Sequence, residues 1–178
     1  MSNDKRELIV GGGCFWCMEA VFELLDGVEN VVSGYANGDV PSPDYRLVCS
    51  GTSGYAEVVK ISYYPNKISL DRLLEIFFEL HNPTTLNQQG ADRGTQYRST
   101  ILYTDEDTKL IALKAKDLAQ SKYSDKIVTI IERLDNFYLA EDYHQDYFRL
   151  NGSQGYCMAV INPKVNKVKT NSAKSIRP

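Results

Sequence analysis

The alternation of apolar and polar positions predicts a regular series of elements. Glu7-Leu8-Ile9-Val10 is short and apolar and reads as a strand. Met18, Val21, Phe22 and Leu25 then recur at i, i+3, i+4 and i+7, as on one face of an amphipathic helix, and Asp26-Gly27 stops it. Val28 to Ala36 carries Val28, Val31 and Val32 and predicts a second strand, turned by Asn37-Gly38. From Ala56 to Tyr64 the period is two: Glu57, Val59, Ile61 and Tyr63 share one face, Lys60 and Ser62 the other. Ser69 can cap a helix running to Leu80, where Leu70, Leu73, Leu74, Phe77 and Phe78 form a wide apolar stripe. Tyr97 to Tyr103 alternates as a strand, Thr104 with Asp107 opens a helix to about Ser121, and Ile127 to Glu132 is a β-branched strand.

Strand, helix, strand, strand, helix, strand is the split βαβ order of a ferredoxin-like core. The expected fold is therefore α+β, a two-layer sandwich with helices on one face of the sheet and extended loops. The loops are two polar stretches, Asp39 to Thr52 and Asn82 to Gln96, too irregular for core elements and long enough to suggest a functional use. Tyr138 to Asn151 predicts one last short helix. Gly152 to Pro178 has no clear period and is expected to wrap the surface as a C-terminal coil containing Cys157.

Length and charge narrow the range of functions. At 178 residues the chain suits one catalytic domain, 1–178, with residues 1–6 and about 164–178 as mobile tails. A net charge of −3 argues against an electrostatic nucleic-acid binder; Lys164, Lys167, Lys169, Lys174 and Arg177 form only a short basic tail. Neither a secretory signal nor a membrane span is readable, so a cytoplasmic protein is expected, and four cysteines there point to redox or catalytic thiols more than to structural disulfides.

The chemistry concentrates at Gly11-Gly12-Gly13-Cys14-Phe15-Trp16-Cys17, where a glycine turn hands over to a helix. Unpaired N–H groups and the positive end of the helix dipole at such a position favour a thiolate, which makes Cys14 the candidate nucleophile. Phe15 and Trp16 would build an apolar wall for a small group such as a methyl, or simply fill the core. Cys14 and Cys17 form a Cys-x-x-Cys pair, fit for a redox dithiol or half a zinc site, but no second pair of ligands is spaced to complete a metal centre. Glu57, a carboxylate on an apolar strand face, either lines a site, where desolvation would keep it protonated as a general acid, or lies at the surface where the strand has not yet entered the sheet. Tyr45 and Tyr97 stand in or beside the long loops that could converge on Cys14. His144 reads as a solvated or satisfied histidine. No phosphate loop is present, because the Lys-Ser/Thr that should follow the glycines is missing.

Taken together, the stretches Gly12-Gly13-Cys14-Phe15-Trp16, Ser33-Gly34-Tyr35, Pro43-Asp44-Tyr45, Gly54-Tyr55-Ala56-Glu57, Gln89 through Ser99, Tyr143-His144-Gln145 and Gly155-Tyr156-Cys157 resemble, in order, the A-type peptide methionine sulfoxide reductases. The resemblance spans roughly residues 8 to 158. It implies reduction of methionine S-sulfoxide, free or in proteins, through a cysteine sulfenic acid and an intramolecular disulfide. It implies no bound cofactor, with thioredoxin or a small dithiol as reductant, and a monomer as the expected state. Cys14 resembles the nucleophile, Glu57 the acid that protonates the sulfoxide oxygen, Tyr45 and Tyr97 the hydroxyl donors, Asp92 the supporting carboxylate, and Phe15 with Trp16 the methyl pocket. For the thiol that closes the disulfide, Cys157 matches the family's Gly-Tyr-Cys position and is favoured over Cys17. Three positions depart from the pattern: Tyr55 replaces a usual histidine, Cys17 a common glycine, and Asn151-Gly152-Ser153-Gln154-Gly155 a more compact turn. The rival reading is a general dithiol-disulfide oxidoreductase using Cys14 and Cys17, and a thiol sensor without enzymatic activity is the third.

Overall fold

In a computed structural model of the chain, described over residues 4–178, the first predicted elements fall where the periodicity places them. Strand β1 (Arg6–Gly11), helix α1 (Phe15–Phe22), strand β2 (Val28–Ala36), the short helix α2 (Tyr45–Cys49), strand β3 (Ala56–Tyr63) and helix α3 (Leu70–Leu80) come first. Two-residue strands β4 (Gln88–Gln89) and β5 (Asp92–Arg93) make a small hairpin, followed by β6 (Thr100–Tyr103) and α4 (Glu106–Gln120). Strands β7 (Ile130–Arg133) and β8 (Phe137–Leu139) precede α5 (Tyr147–Asn151) and α6 (Asn162–Asn171).

The six-stranded sheet runs β7-β6-β1-β3-β2-β8, with only the β6–β7 pair parallel. Side-chain alternation divides its residues between two faces. Leu8, Val10, Val31, Val59, Ile61, Tyr63 and Ile101 face the main core, which α1, α3 and α6 complete with Phe22, Phe77 and Val165. Ile9, Ala36, Ala56, Val58 and Leu102 form a smaller cluster on the other face, covered in part by Leu134 and Phe137. The mixed α+β layering is thus the one that period-two strands and period-3.6 helices require.

Both polar stretches hold more structure than irregular loops. Asp44 caps α2 by accepting from the Leu47 N–H at 2.7 Å, so a capped turn of helix interrupts the first. In the second, Gly90 adopts φ +58° at the tip of the β4–β5 hairpin, and a 3-10 turn covers Thr95–Tyr97. Helix α4 is capped by Asp105, which accepts from the Thr108 N–H at 2.7 Å, not by Thr104 as the sequence suggested.

The C-terminal third departs most from expectation. Tyr138 to Asn151 is not one helix: it divides into β8, a 3-10 turn at Asp142–His144 and α5. The expected C-terminal coil is helical instead, a π turn at Cys157–Ile161 running straight into α6. Cys157, Ile161, Val165 and Val168 are its buried residues, one for each turn. That single-file stripe is narrower than a free amphipathic helix shows, and it needs the rest of the protein to cover it. The basic end is held as well: Asp26 N–H donates to Ser175 O at 2.8 Å, Arg177 N–H to Leu24 O at 2.9 Å, and Ile176 bridges to Leu25. The other proposed tail falls partly outside the described residues; of the rest, Arg6 already belongs to β1.

Candidate active site

The glycine turn is crowded by the Glu57 backbone and by the side chains of His81 and Gln89. A Cβ on Gly11 would lie 2.5 Å from Glu57 O and one on Gly12 2.8 Å from the His81 ring. Gly13 combines φ +91° with a contact to Gln89 that leaves no space for a side chain. Its N–H donates to Tyr97 O at 3.2 Å, which ties the turn to the 3-10 segment. Cys14 follows as the N-cap of α1, and Cys17 closes the first turn by donating its N–H to Cys14 O at 3.1 Å.

Glu57 lies inside the sheet, paired with Tyr35 across β2–β3 and 1% exposed, which removes the surface alternative. One carboxylate oxygen accepts from the Phe15 N–H at 3.2 Å, so the acid is held against the residue that follows Cys14. Burial pushes Glu57 up to about 8, against the opposing Phe15 hydrogen bond, with the charges of Asp92 and Cys17 adding to the rise. At neutral pH the group is therefore a carboxylic acid that holds its proton.

The thiols do not behave as a helix N-terminus alone would make them. Cys14, 8% exposed, is raised well above the ordinary thiol range by burial, by its hydrogen bond with Cys17 and by the Glu57 charge. Cys17 is lowered, first by that same hydrogen bond from Cys14, against burial, and then by Lys164 and Tyr156. Of the two, Cys14 is the one that keeps its proton to higher pH, and the eight-residue α1 does not reverse the cost of desolvation there.

Tyr45 and Tyr97 are both shifted upward, chiefly by burial, Tyr45 next by its hydrogen bond with Cys49, and both further by the Glu57 charge. Asp92 accepts from the Tyr156 hydroxyl at 2.7 Å, and that oxygen lies 4.0 Å from Cys17 Sγ. Phe15 is 1% exposed, with its ring 5.7 Å from that of Tyr35 and 5.1 Å from His144. Trp16 stacks on Tyr147 at 3.6 Å and donates its indole N–H to His144 Nδ1 at 3.0 Å.

Several residues of this cluster had no site role in the sequence reading, which took His144 as a solvated or satisfied histidine. His144 is fully buried and accepts from Trp16, so its Nδ1 is unprotonated and the remaining hydrogen sits on Nε2, 3.8 Å from Glu141. Glu141 in turn accepts from the Tyr35 and Tyr143 hydroxyls, each at 3.0 Å, and from the Tyr45 N–H at 3.2 Å. Tyr147, His144 and Glu141 recur at three-residue spacing, the one signal the sequence offered for a shared surface. Tyr55 serves the loop instead of the site. Its hydroxyl donates to Val40 O and its ring fills the space at Gly38, where a Cβ would come within 2.1 Å of it. Cys49, Cys14, Cys17 and Cys157 are all free thiols, with Cys157 0% exposed.

Paired thiols beside a buried, protonated carboxyl, walled by aromatic rings, define a thiol-dependent reductase. The family model for peptide methionine sulfoxide reductase matches residues 6–176. A relative of that name from Ruthia magnifica subsp. Calyptogena magnifica is 55% identical over 88% of this chain and 93% of its own. The reduced form of Mxr1 from Saccharomyces cerevisiae superposes with a TM-score of 0.81 and 40% identity, covering 86% of this chain and 89% of that one. The structure of Mxr1 in complex with Trx2 matches with a TM-score of 0.59 and 28% identity, over 83% and 89% of the two chains. The chain belongs to the peptide methionine sulfoxide reductases, in the A-type group. It is an oxidoreductase that reduces methionine sulfoxide to methionine, and the general dithiol oxidoreductase reading is not favoured.

Proposed function

We propose that Cys14 attacks the sulfoxide sulfur while Glu57 protonates its oxygen. The observation that carries this is the hydrogen bond from the Phe15 N–H to a Glu57 carboxyl held at about 8, which supplies a proton beside the thiol at neutral pH. Two neutral acids then face the substrate. Glu57 gives its proton to the oxygen, the proton lost by Cys14 returns to Glu57, and the oxygen passes to sulfur as Cys14 sulfenic acid with methionine released. Oxygen on a sulfoxide leaves only when protonated, so the acid is required by the chemistry and is not an ornament of the pocket.

Tyr45 and Tyr97 hydrogen-bond that oxygen, Asp92 is the loop carboxylate that supports the site, and Phe15 with Trp16 receives the substrate methyl. The Trp16 hydrogen bond to His144 and its stacking on Tyr147 support this, since they hold one wall of such a pocket rigid. Preference for the S epimer at sulfur is the expectation that membership of this family supports. A second thiol, Cys157 or Cys17, condenses with the sulfenic acid. Thioredoxin reduces the disulfide, a reading supported by the likeness to Mxr1 bound to Trx2. The central strand order β6-β1-β3-β2 supports a ferredoxin-like core, with β7 and β8 added at its edges. Four free thiols are consistent with a reducing cytoplasm, and among the described residues no helix is long and apolar enough to cross a membrane.

The test is an anaerobic single turnover with resolved epimers of free methionine sulfoxide and of a sulfoxide-containing peptide. One methionine formed and two thiols lost per enzyme, with the S epimer alone, is the expected result. Equal rates for both epimers would overturn the preference for the S epimer.

A further inference from the structure

One carboxylate with no part in the chemical step is tied to several residues that have one. Glu141 lies just past β8, on a segment clamped to β2. Ala140 N–H donates to Ser33 O at 3.0 Å, and the Gln145 side-chain amide accepts from the Ser33 N–H and donates to Ser33 O, each at 2.9 Å. From that position one oxygen of Glu141 accepts from the hydroxyl of Tyr35, which stands opposite Glu57 in the sheet, at 3.0 Å. The other accepts from the Tyr143 hydroxyl at 3.0 Å and the Tyr45 N–H at 3.2 Å, and lies 3.8 Å from His144 Nε2. All four groups are donors. An ionised carboxylate only accepts and has capacity for all of them, which no amide of the same shape has. Burial pushes the Glu141 carboxyl up, but hydrogen bonds from its own N–H and from Tyr35, Tyr143 and Tyr45 hold it below the usual carboxylate range, so it is charged at neutral pH.

We infer that Glu141 is a positioning residue for the sulfoxide reaction, acting on the oxygen side through Tyr45 and on the methyl side through His144 and Trp16. The inference rests on the proposed roles of Tyr45 as a donor to the sulfoxide oxygen and of Trp16 as a wall of the methyl pocket.

On the oxygen side, Tyr45 is the first residue of α2, a helix of five residues. Asp44 takes the Leu47 N–H, and the Tyr45 N–H is left to Glu141. A helix this short has little stability of its own, so the aim of the Tyr45 ring follows its anchors. On the methyl side the effect is a choice of tautomer. The His144 side chain is 1% exposed, and the rings of Phe15, Trp16, Tyr45 and Tyr143 enclose it at 5.1, 5.7, 4.4 and 4.2 Å. Glu141 is the charged group that acts on it, and among the described residues Nε2 has no hydrogen-bond partner. At 3.8 Å the carboxylate is too far for a hydrogen bond, yet its charge favours the tautomer with hydrogen on Nε2. Nδ1 is then free to accept the Trp16 indole N–H. With the hydrogen on Nδ1, two donors would face each other and Trp16 would lose its tether.

The experiment uses Glu141→Gln, which keeps the shape, removes the charge and sets an amide donor among donors. Single turnover of free methionine S-sulfoxide should slow about tenfold, and the substrate concentration for half-maximal rate should rise by a similar factor, as when charge-assisted hydrogen bonds are lost. Tyr45→Phe should cost about fivefold less in this background than in the parent, because the two changes act on one group. Trp16 is the single tryptophan of the chain, so its emission reports on its own tether. Burial lowers His144 and the Glu141 charge raises it, so the acid midpoint of the emission change should move to lower pH in Glu141→Gln. A general loosening of the fold would expose His144 and move that midpoint upward instead. Equal cost of Tyr45→Phe in both backgrounds, or a midpoint that stays or rises, overturns the positioning role and leaves the sulfoxide chemistry standing. Tyr45→Phe without effect in the parent counts against Tyr45 as a donor, and the oxygen side of the inference falls with it. If Glu141→Gln does not fold, Glu141→Asp, which withdraws the charge by one methylene, is read in the same way and with the same signs.

Discussion

The edge of the molecule that carries Cys14 and Glu57 and the C-terminal run after His144 are built on different terms. At the edge, Gly13 at φ +91°, the Phe15 N–H hydrogen bond to Glu57 and a central strand fix the functional groups, and Glu57 and Phe15 are each 1% exposed. The C-terminal run, whose helices like α1 have no side-chain cap, presents a single file of buried residues from Cys157 to Val168. The first region stores precise geometry for the chemical step. The second is held by packing on α1 and α3, and a buried thiol on it meets a partner protein only once that packing opens.

The sharpest way to separate them is to remove the nucleophile. Cys14→Ser should abolish sulfoxide reduction with the fold intact, since the hydroxyl is similar in size and far less nucleophilic. A variant that still releases methionine in a single turnover would break the division at its first point.

Next in size, Glu57→Gln should slow single turnover by about a hundredfold or more, the usual consequence of losing a positioned acid. The pH profile gives the same test with the sign fixed. Because burial raises the Glu57 carboxyl to about 8, the active acid form prevails below that pH, and single-turnover rate should fall as pH rises through it. The Gln variant should be flat over that range; a matching fall in the variant would move the ionisation to another group.

Packing deletions compare the regions directly. Leu73→Ala, in the fully buried stripe of α3, should lower global stability by about 2–5 kcal/mol. Ile161→Ala removes an equally buried side chain from the C-terminal stripe and is expected within the same range. Its signature is different: amides of α6 should exchange faster while those of α3 do not, and thioredoxin-dependent turnover should change more than the single-turnover rate. Uniform acceleration of exchange across both helices would show that they unfold as one unit.

The smallest expected effect is at Ser172, whose buried hydroxyl has no hydrogen-bond partner. Ser172→Ala should be neutral or stabilising by up to about 1 kcal/mol, because it removes a desolvated group that is left unpaired. A loss of stability in thermal melting would mean that the hydroxyl is satisfied in solution.

The sequence by itself determined the elements whose side chains carry their own instruction. Val28 to Ala36 forms a strand over that whole span, Ser69 caps α3 by accepting from the Arg72 N–H, and the glycines before Cys14 mark a turn with no space for side chains. Local periodicity and caps are short-range quantities, so they can be read along the chain. The sequence also held the family's motifs in order, and they pointed to Cys14, Glu57, Tyr45, Tyr97 and Asp92 before their positions were known. Only the tertiary structure decided the rest. Glu57 could be surface or site until pairing with Tyr35 buried it, and Cys14 could be thiolate or thiol until burial and Cys17 put the proton on it. Likewise Cys157 lies in a helix, not a coil, because its one apolar residue per turn becomes sufficient only when α1 and α3 cover that stripe. Desolvation and docking depend on residues far apart in the chain, such as Trp16 with His144 or Asp92 with Tyr156, and no local window contains both members of either pair.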